Sequence, residues 1–171
     1  TQKLRLVDYR QVTVDPEAST VRLERPGMKL DLGGSAKGFA LDRMAQAVRD
    51  QHFESFICEA GGDLFVAGTH GDRPWKLGIR HPRVPGEIVA TYEVHRDMAV
   101  VTSGDYERFF MLDGKRYHHI LDPVTGFPAR GMISVTLFGS SGLDADALST
   151  GIFVMGLQRG MELVEKLQGL D

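Results

Sequence analysis

The chain has 171 residues, of which 42% are hydrophobic and 25% are charged, and its formal net charge is -3. This length suits one globular domain with a hydrophobic core, and this composition excludes an intrinsically disordered chain. The slightly acidic balance gives no basic surface that follows a nucleic-acid backbone, so no nucleic-acid partner is expected.

The single cysteine, Cys58, excludes an internal disulfide and a zinc site built from several cysteines. It lies in the apolar run 56–58, which predicts a buried and unreactive thiol. No apolar run approaches the roughly 20 residues that span a bilayer, and no signal peptide is recognisable. Because the chain begins at Thr1 rather than at methionine, we expect that an N-terminal segment has been removed.

The first third of the chain predicts a hairpin followed by a strand, a glycine turn and a helix. Strands are predicted at 11–14, 20–23 and 28–32, the first two around a turn at 15–17. Two glycines follow the third strand, and Ser35 can then cap a helix that continues to Arg49. A strand, a glycine turn and a helix in this order bring backbone amides close to phosphate groups in many proteins.

The rest of the chain predicts short antiparallel strands and then two helices. The candidate strands are 54–58, 63–68, 75–80, 87–94, 97–102, 107–112, 115–121 and 132–138. Asp113 and Gly114 between two of them are a strong hairpin signal, and connections this short require antiparallel pairing. Helices are predicted from Asp144 to Leu157 and from Gln158 to Leu167. Helices at both ends of an antiparallel-rich sheet indicate an α+β fold.

The densest group of reactive side chains lies in residues 117–126, with the sequence YHHILDPVTG. Two histidines end a predicted strand, and the following turn presents Asp122 and Thr125 nearby. Histidine accepts protons near neutral pH, and strand alternation lets only one of His118 and His119 face a site. Ordinary turn chemistry explains the same residues equally well, so this segment alone leaves both interpretations open.

A second candidate site lies on the helix predicted to begin near Asp144. Asp146 and Thr150 are four residues apart and share one helix face, and the helix is apolar nearly all round, which predicts burial. A buried carboxylate needs a partner, and a hard cation such as Mg²⁺ would provide one. Helix capping by Asp144 and Asp146 is the alternative. Capping leaves Thr150 unexplained, so the metal site is favoured.

Three glycine turns complete the set of candidates. In residues 31–38, glycine amides and Lys37 can face an anion, although the segment matches neither the P-loop nor the GxGxxG pattern. A plain strand-to-helix turn explains that segment as well. The turns at 59–63 and 101–106 each follow a predicted strand and, taken singly, indicate only tight turns. Trp75 is expected in the core, with stacking on a flavin as the minor alternative.

Taken together and in order, five segments resemble the FAD:protein FMN transferase family, also called the ApbE family. The matching stretches are 31–42 (DLGGSAKGFALD), 60–63 (AGGD), 102–106 (TSGDY), 119–126 (HILDPVTG) and 145–150 (ADALST). The resemblance implies an ApbE-like, T-fold-like α+β domain, of which residues 1–171 form the C-terminal portion. The family's N-terminal part, which contributes to the flavin and adenine pocket, would lie outside this chain. Glu59 departs from the family pattern, in which asparagine is usual.

The resemblance implies an enzyme that splits the FAD pyrophosphate, moves FMN to a threonine or serine hydroxyl of an acceptor flavoprotein, and releases AMP. It implies a Mg²⁺ ion held by Asp146, Thr150 and the backbone carbonyl of Ala36. It implies His119 as the base, with Asp122 as its orienting partner or as a ligand of a second metal ion. The flavin pocket is expected to be lined by Lys37, Asp42, Ser103, Gly104, Asp105 and Thr125.

Two other functions stay open on the sequence. With water in place of the acceptor hydroxyl, the protein would be an FAD pyrophosphatase that yields FMN and AMP. Without turnover, it would be a flavin-binding module. The resemblance also implies export to the periplasm or cell envelope and a lipid anchor in the membrane, with any signal in a segment outside this chain.

Overall fold

The computed structural model describes residues 2–170, and a four-stranded antiparallel sheet forms its centre. In chain order the elements are β1 Val12–Asp15, β2 Thr20–Leu23, α1 Ala36–Asp50, β3 Phe56–Ala60, β4 Asp63–Ala67, β5 Trp75–Arg80, β6 Ile88–Val94, β7 Met98–Gly104, β8 Phe109–Leu112, β9 Lys115–His118, β10 Ser134–Gly139, α2 Gly142–Met155 and α3 Leu157–Val164. Short 3-10 helices at Gln2–Leu6 and Tyr9–Gln11 precede β1. The central sheet has the order β10-β7-β4-β3, and the hairpins β1-β2, β5-β6 and β8-β9 are separate two-stranded sheets.

The central sheet has apolar layers on both of its faces. Alternation along β7 sends Ala99 and Val101 to the face covered by α1 and α2, and Met98 and Val100 to the face covered by the β5-β6 hairpin. Deeply buried members of the helix layer are Leu41, Ala45, Ile152 and Phe153. The end of β7 therefore lies under the helices, and this positions the residues that follow Val101 beside α2.

The predicted α+β fold is confirmed. All eight strands expected between residues 54 and 138 are present, with ends displaced by up to three residues, and α2 and α3 correspond to the two expected C-terminal helices. Asp113 and Gly114 join β8 to β9 with φ of 49° and 71°, as a type I′ hairpin turn requires. Among residues 2–170, no helix has both the length and the apolar character of a membrane span.

Two local predictions at the start of α1 are wrong. Within the described part of the chain, residues 28–32 form no strand, because no neighbouring strand provides them with a hydrogen-bonding ladder. Leu30 and Leu32 in this segment are exposed. Ser35 does precede α1, but its hydroxyl donates to the carbonyl of Leu32 at 3.3 Å instead of capping the helix. Residues 32–35 therefore form a hydrogen-bonded turn of their own before the helix begins.

Two predictions about buried side chains are confirmed. Cys58 is a free thiol with 6% of its surface exposed. Burial raises its pKa, which leaves little of the nucleophilic thiolate at neutral pH. Trp75 packs against the core on the hairpin side of the sheet and donates from Nε1 to the carbonyl of Ala67 at 3.0 Å.

Candidate active site

The candidate site forms where the start of α1 crosses α2, and two glycines let these helices approach closely. A Cβ on Gly38 would lie 2.0 Å from the carbonyl oxygen of Gly142, and a Cβ on Gly142 would lie 2.7 Å from that of Gly38. Side chains do not approach backbone oxygens this closely, so only glycine fits at either position. The crossing holds the GGSAKG turn against the helix that carries Asp146 and Thr150.

Asp146 is buried at this crossing, with 3% of its surface exposed. Its Oδ2 accepts a hydrogen bond from the backbone amide of Gly38 at 2.8 Å. The capping alternative is wrong for Asp146, because its own helix is capped by Ser141, whose Oγ accepts from the amide of Asp144 at 3.1 Å. The ion pairs formed among residues 2–170 do not include Asp146. Its charge is therefore available to a cation.

Three hydroxyl groups form a hydrogen-bonded chain beside Asp146. Ser149 Oγ donates to the carbonyl oxygen of Asp146 at 3.0 Å. Ser103 Oγ at the end of β7 lies 2.8 Å from Ser149 Oγ and 3.1 Å from Thr150 Oγ1. Each hydroxyl has one proton to donate, so the chain runs from Thr150 to Ser103 to Ser149 when all of these bonds form. Thr150 then uses its proton within the protein and keeps oxygen lone pairs for a ligand.

The segment 34–38, which runs from the glycine turn into the first residues of α1, lies beside both expected metal ligands. A Cβ on Gly34 would lie 3.9 Å from Oγ1 of Thr150, and the amide of Gly38 bonds to Asp146. Ala36, the first residue of α1, lies between these two contacts along the chain. The proposed carbonyl ligand is thus in the segment that reaches both side chains.

The donor atoms at the crossing have the chemistry that Mg²⁺ prefers. A carboxylate and a hydroxyl are hard oxygen ligands, and Mg²⁺ is commonly held by one or two carboxylates together with water and substrate phosphates. Residues 2–170 contain no group of three or more His, Cys, Asp or Glu side chains placed to hold a metal. A metal ion here would therefore depend on hydroxyl, backbone and substrate oxygens as well. Asp146 and Thr150 therefore fit Mg²⁺ if backbone, water and substrate oxygens complete its coordination.

A second buried carboxylate, Asp63, was not among the expected site residues. It begins β4, is 1% exposed, and forms an ion pair with Lys37 of α1. Its Oδ1 accepts from the backbone amide of Thr102 at 2.9 Å. Burial raises the pKa of Asp63, contact with Lys37 and Thr102 opposes this rise, and the charge of Asp146 adds to it. The signal that could have found Asp63 is its place at the end of the AGGD stretch.

Asp42 of α1 caps the N-terminus of α2. Its Oδ1 accepts from the amide of Gly142 at 2.7 Å, and its Oδ2 accepts from the amide of Leu143 at 3.0 Å and from the hydroxyl of Ser141 at 3.4 Å. These bonds satisfy amides that a helix leaves without partners at its start. Asp42 therefore joins α1 to α2, and its expected contact with a flavin stays a prediction.

Replacing Asp42 by alanine is expected to lower the free energy of unfolding by about 2 kcal/mol, because the cap and the charge at the positive helix end are lost together. Urea denaturation followed by circular dichroism measures this change. The matched control is Asp144→Ala, which removes an exposed carboxylate from the first turn of the same helix and should lose less than about 1 kcal/mol. Equal losses in the two variants would contradict the capping role.

Gly104 and Asp105 follow Ser103 at the end of β7 and lie in a tightly packed region. A Cβ on Gly104 would lie 2.5 Å from the ring of Tyr106, so the ring packs directly on this glycine. Asp105 is 7% exposed and binds Arg83 through two hydrogen bonds of 2.7 and 2.6 Å. This pairing raises the pKa of Arg83. Arg83 was not singled out in the sequence, because its partner is 22 residues away.

A basic groove of about 580 Å³ opens beside Asp105. Its cationic side chains are those of Lys115, Arg116 and Arg130. Asp105 forms its ion pair with Arg83, so its negative charge does not offset the three positive charges that line the groove. A cleft lined by charges of one sign attracts ligands of the opposite sign, and this volume lies in the usual range of small-molecule sites. The groove suits an anionic ligand.

His118 and His119 face opposite directions, as strand alternation predicts. His118 is buried, with Nε2 2.9 Å from the carbonyl oxygen of Ala129 and its ring against the edge of Phe153. His119 is the first residue after β9 and is exposed, and its backbone amide donates to Arg108 at 3.1 Å. Of the two imidazoles, only that of His119 is open to a large substrate.

Asp122 and Thr125 form hydrogen bonds within their own turn. Asp122 Oδ1 accepts from the amide of Val124 at 2.8 Å, and Thr125 Oγ1 accepts from the amide of Phe127 at 3.3 Å. No hydrogen bond joins the side chains of Asp122 and His119, both of which the structure describes. The structure thus brings Lys37, Ser103, Asp146 and Thr150 to the helix crossing, whereas Asp122 and Thr125 are held by turn chemistry.

Comparison with known proteins gives the same family as the motifs. Residues 1–171 match the sequence model of the ApbE family. The FAD:protein FMN transferase of Treponema pallidum (strain Nichols) is 42% identical over 179 residues, which cover 96% of this chain and 49% of that protein. The FAD:protein FMN transferase of Klebsiella pneumoniae (strain 342) is 35% identical over 170 residues, covering 99% and 52%. The chain spans about half the length of the curated relatives it matches.

Solved structures agree with this match in both fold and sequence. The crystal structure of the ApbE protein from Thermotoga maritima has a TM-score of 0.86 and 42% identity, covering 96% of this chain and 53% of that one. The flavin transferase ApbE from Vibrio cholerae has a TM-score of 0.84 and 34% identity, covering 98% and 53%. The resemblance seen in the five motifs is confirmed, and the chain belongs to the ApbE family.

Proposed function

We propose that this protein transfers FMN from FAD to a threonine or serine hydroxyl of an acceptor flavoprotein, in a Mg²⁺-dependent reaction that releases AMP. The observation that carries the proposal is that Asp146 and Thr150 both lie beside residues 34–38, where the chain passes from the glycine turn into the first turn of α1. The names of the Treponema pallidum and Klebsiella pneumoniae relatives support the flavin chemistry.

The cation would be held by the carboxylate of Asp146, the hydroxyl of Thr150 and the backbone carbonyl of Ala36. A bound Mg²⁺ neutralises negative charge that develops on a pyrophosphate as its P–O bond breaks. When all the bonds of the hydroxyl chain form, Thr150 donates its proton to Ser103 and keeps oxygen lone pairs that could bind the cation. The positive end of α1 adds to the attraction for phosphate oxygens.

His119 would take the proton of the acceptor hydroxyl as its oxygen attacks the FMN phosphorus. One P–O bond forms to the acceptor, the bridging P–O bond of FAD breaks, and AMP leaves with the bonding electron pair. The exposure of His119 suits an acceptor as large as a protein. Asp122 would orient His119 or bind a second metal ion. Flavin contacts are proposed for Lys37, Asp42, Ser103, Gly104, Asp105 and Thr125, and the basic groove beside Asp105 suits an anionic dinucleotide.

Replacing His119 by alanine is expected to lower the transfer rate about a thousandfold, because a general base contributes a factor of this order. The free energy of unfolding and the Kd for FAD should stay near those of the unsubstituted protein, since the imidazole is exposed. Single-turnover transfer rates and FAD titrations measure the two quantities. His95→Ala, at an exposed histidine outside the site, is the control. An unchanged transfer rate in His119→Ala would exclude His119 as the base.

Mass spectrometry of the acceptor tests the proposed reaction. The purified protein is incubated with FAD, Mg²⁺ and an acceptor flavoprotein, and the acceptor is weighed. We expect the acceptor to gain the mass of FMN with release of AMP, and to gain nothing when EDTA removes the cation. FMN and AMP with an unmodified acceptor would indicate FAD pyrophosphatase activity instead. FAD that stays intact would leave only flavin binding and contradict the proposal.

We also propose that the protein works in the periplasm or cell envelope, anchored to the membrane by a lipid. The support is the resemblance to ApbE-type lipoproteins, and the anchor would belong to a segment outside residues 1–171. Fractionation of cells that express the natural gene checks this proposal. Recovery with the envelope fraction is expected, and recovery with cytoplasmic markers would contradict it.

A further inference from the structure

The AGGD turn at residues 60–63 holds the side chain of Lys37. Gly61 and Gly62 have φ of 59° and 91°, which glycine adopts without strain. A Cβ on Gly61 would lie 3.5 Å from Cδ of Lys37, so the aliphatic stem of the lysine passes directly over this turn. The ammonium group then reaches the carboxylate of Asp63. The AGGD and GGSAKG motifs therefore meet at one side chain.

Asp63 is a fixed partner for that ammonium group. Its side chain is only 2% exposed, whereas that of Lys37 is 41% exposed. Oδ1 of Asp63 is held by the backbone amide of Thr102 in the central sheet at 2.9 Å, which leaves Oδ2 for Lys37. A buried carboxylate of this kind strongly favours a charged partner, since leaving it unpaired is costly. The lysine is consequently held at the rim of the site.

Asp146 is a competing carboxylate for the same ammonium group. Lys37 is the neighbour in sequence of Gly38, whose backbone amide binds the Asp146 carboxylate at 2.8 Å, so the lysine side chain starts one residue from that contact. The group contains two carboxylates and one ammonium, which leaves one net negative charge for a cation to neutralise. If Lys37 moved to Asp146, it would occupy the carboxylate that the cation needs.

We infer that Asp63 is a positioning residue, which holds Lys37 away from Asp146 and so leaves the Asp146 carboxylate open to the cation. The inference rests on the proposed function, because the cation is the Mg²⁺ of the transfer reaction. It gives the AGGD turn a physical role: the positive φ of its two glycines shapes the turn under the lysine stem, and the aspartate fixes the lysine's charge. Lys37 stays at the rim, where its ammonium can face a phosphate oxygen.

The inference is tested by the binding of Mn²⁺, a spectroscopic substitute for Mg²⁺, measured from the electron paramagnetic resonance signal of the free ion. Asp63→Asn keeps an acceptor for the amide of Thr102 but removes the charge. We expect the Kd for Mn²⁺ to rise about tenfold, a typical coupling between residues of one network. The double variant Asp63→Asn/Lys37→Met removes the competing ammonium as well. Its Kd should return to within about threefold of that of the unsubstituted protein.

The control is Glu59→Gln, which removes a charge from the same turn without touching Lys37. Glu59 is exposed, and its Oε1 accepts from the amide of Gly62 at 2.6 Å, a bond that glutamine can retain. Its Kd for Mn²⁺ should be unchanged. Circular dichroism establishes that each variant is folded. A merely structural role for Asp63 would not be rescued by Lys37→Met, which is what the double variant decides.

Three results would overturn the inference. The first is a Kd for Asp63→Asn equal to that of the unsubstituted protein, and the second is a double variant that binds as weakly as Asp63→Asn. The third is a tenfold weaker Mn²⁺ affinity in Lys37→Met alone, because the lysine would then help to form the cation site. This third result can be measured even if Asp63→Asn fails to fold. Normal Mn²⁺ responses without any FMN transfer would instead contradict only the proposed function. A lack of Mn²⁺ binding by the unsubstituted protein would contradict both.

Discussion

Replacing Asp146 by asparagine is expected to reduce FMN transfer about a thousandfold in a protein that still folds. The carboxylate is the only charged ligand proposed for the cation, and a bound metal ion contributes several kcal/mol of transition-state stabilisation, which corresponds to a rate factor of this size. Asparagine keeps an oxygen acceptor for the amide of Gly38, which Asp146 binds at 2.8 Å. Transfer rates at saturating FAD and increasing Mg²⁺ measure the effect.

Alanine at the same position separates the chemical role of Asp146 from its structural one. Asp146→Ala should lose transfer to the same extent, and it should also lose about 1–3 kcal/mol of stability, because the buried amide of Gly38 is left without a partner. Asp144→Asn is the control, since it removes an exposed carboxylate two residues earlier on α2. Mg²⁺-dependent transfer at the normal rate by Asp146→Asn would exclude Asp146 as the metal ligand.

Gly38→Ala is expected to lower the free energy of unfolding by about 3 kcal/mol, within the range of overpacked cores. A Cβ there would lie 2.0 Å from the carbonyl oxygen of Gly142 and 2.6 Å from Cβ of Asp146, so α1 and α2 must move apart. Their separation would also weaken the bond from the Gly38 amide to Asp146. Mn²⁺ affinity should therefore fall together with stability. Urea denaturation and Mn²⁺ titration measure the two effects.

Gly151→Ala is the matched control for Gly38→Ala. Gly151 lies inside α2, and the nearest atom to a Cβ there is Cε of Met155 at 4.0 Å. Alanine should be tolerated and should stabilise the helix by up to about 1 kcal/mol, since glycine is a poor helix former. Equal free energies of unfolding for Gly38→Ala and Gly151→Ala would contradict the close approach of α1 and α2 at Gly38.

The elements of this fold could be predicted from the sequence because their signals are local. Alternating apolar residues bounded by glycine turns predict β3 to β10 within three residues at each end, and the Asp113-Gly114 pair predicts its hairpin. The strand expected at 28–32 is wrong for a reason that a local pattern does not contain. A strand exists only with a partner, and the described residues provide none beside this segment.

The site was predictable in its motifs and not in its contacts. Asp146 and Thr150 share a helix face by their spacing alone, but the partner of Asp146 is 108 residues away at Gly38. Asp42 caps α2 through the amide of Gly142, which is 100 residues further along the chain, so no local sequence pattern predicts this contact. The AGGD stretch marks the turn that ends in Asp63, but the burial of Asp63 and its ion pair with Lys37 depend on contacts that these four residues do not contain.

We propose that the crossing of α1 and α2, rather than the HILDPVTG turn, holds the cation that Asp146 binds. Mn²⁺ broadens the nuclear magnetic resonance signals of nearby amides, so a titration of ¹⁵N-labelled protein with substoichiometric Mn²⁺ locates the site directly. We predict that the amides of residues 34–38 and 146–150 broaden first, and that Asp146→Asn abolishes this broadening. Broadening confined to residues 119–126, with the helix crossing unaffected, would contradict a metal site at the crossing.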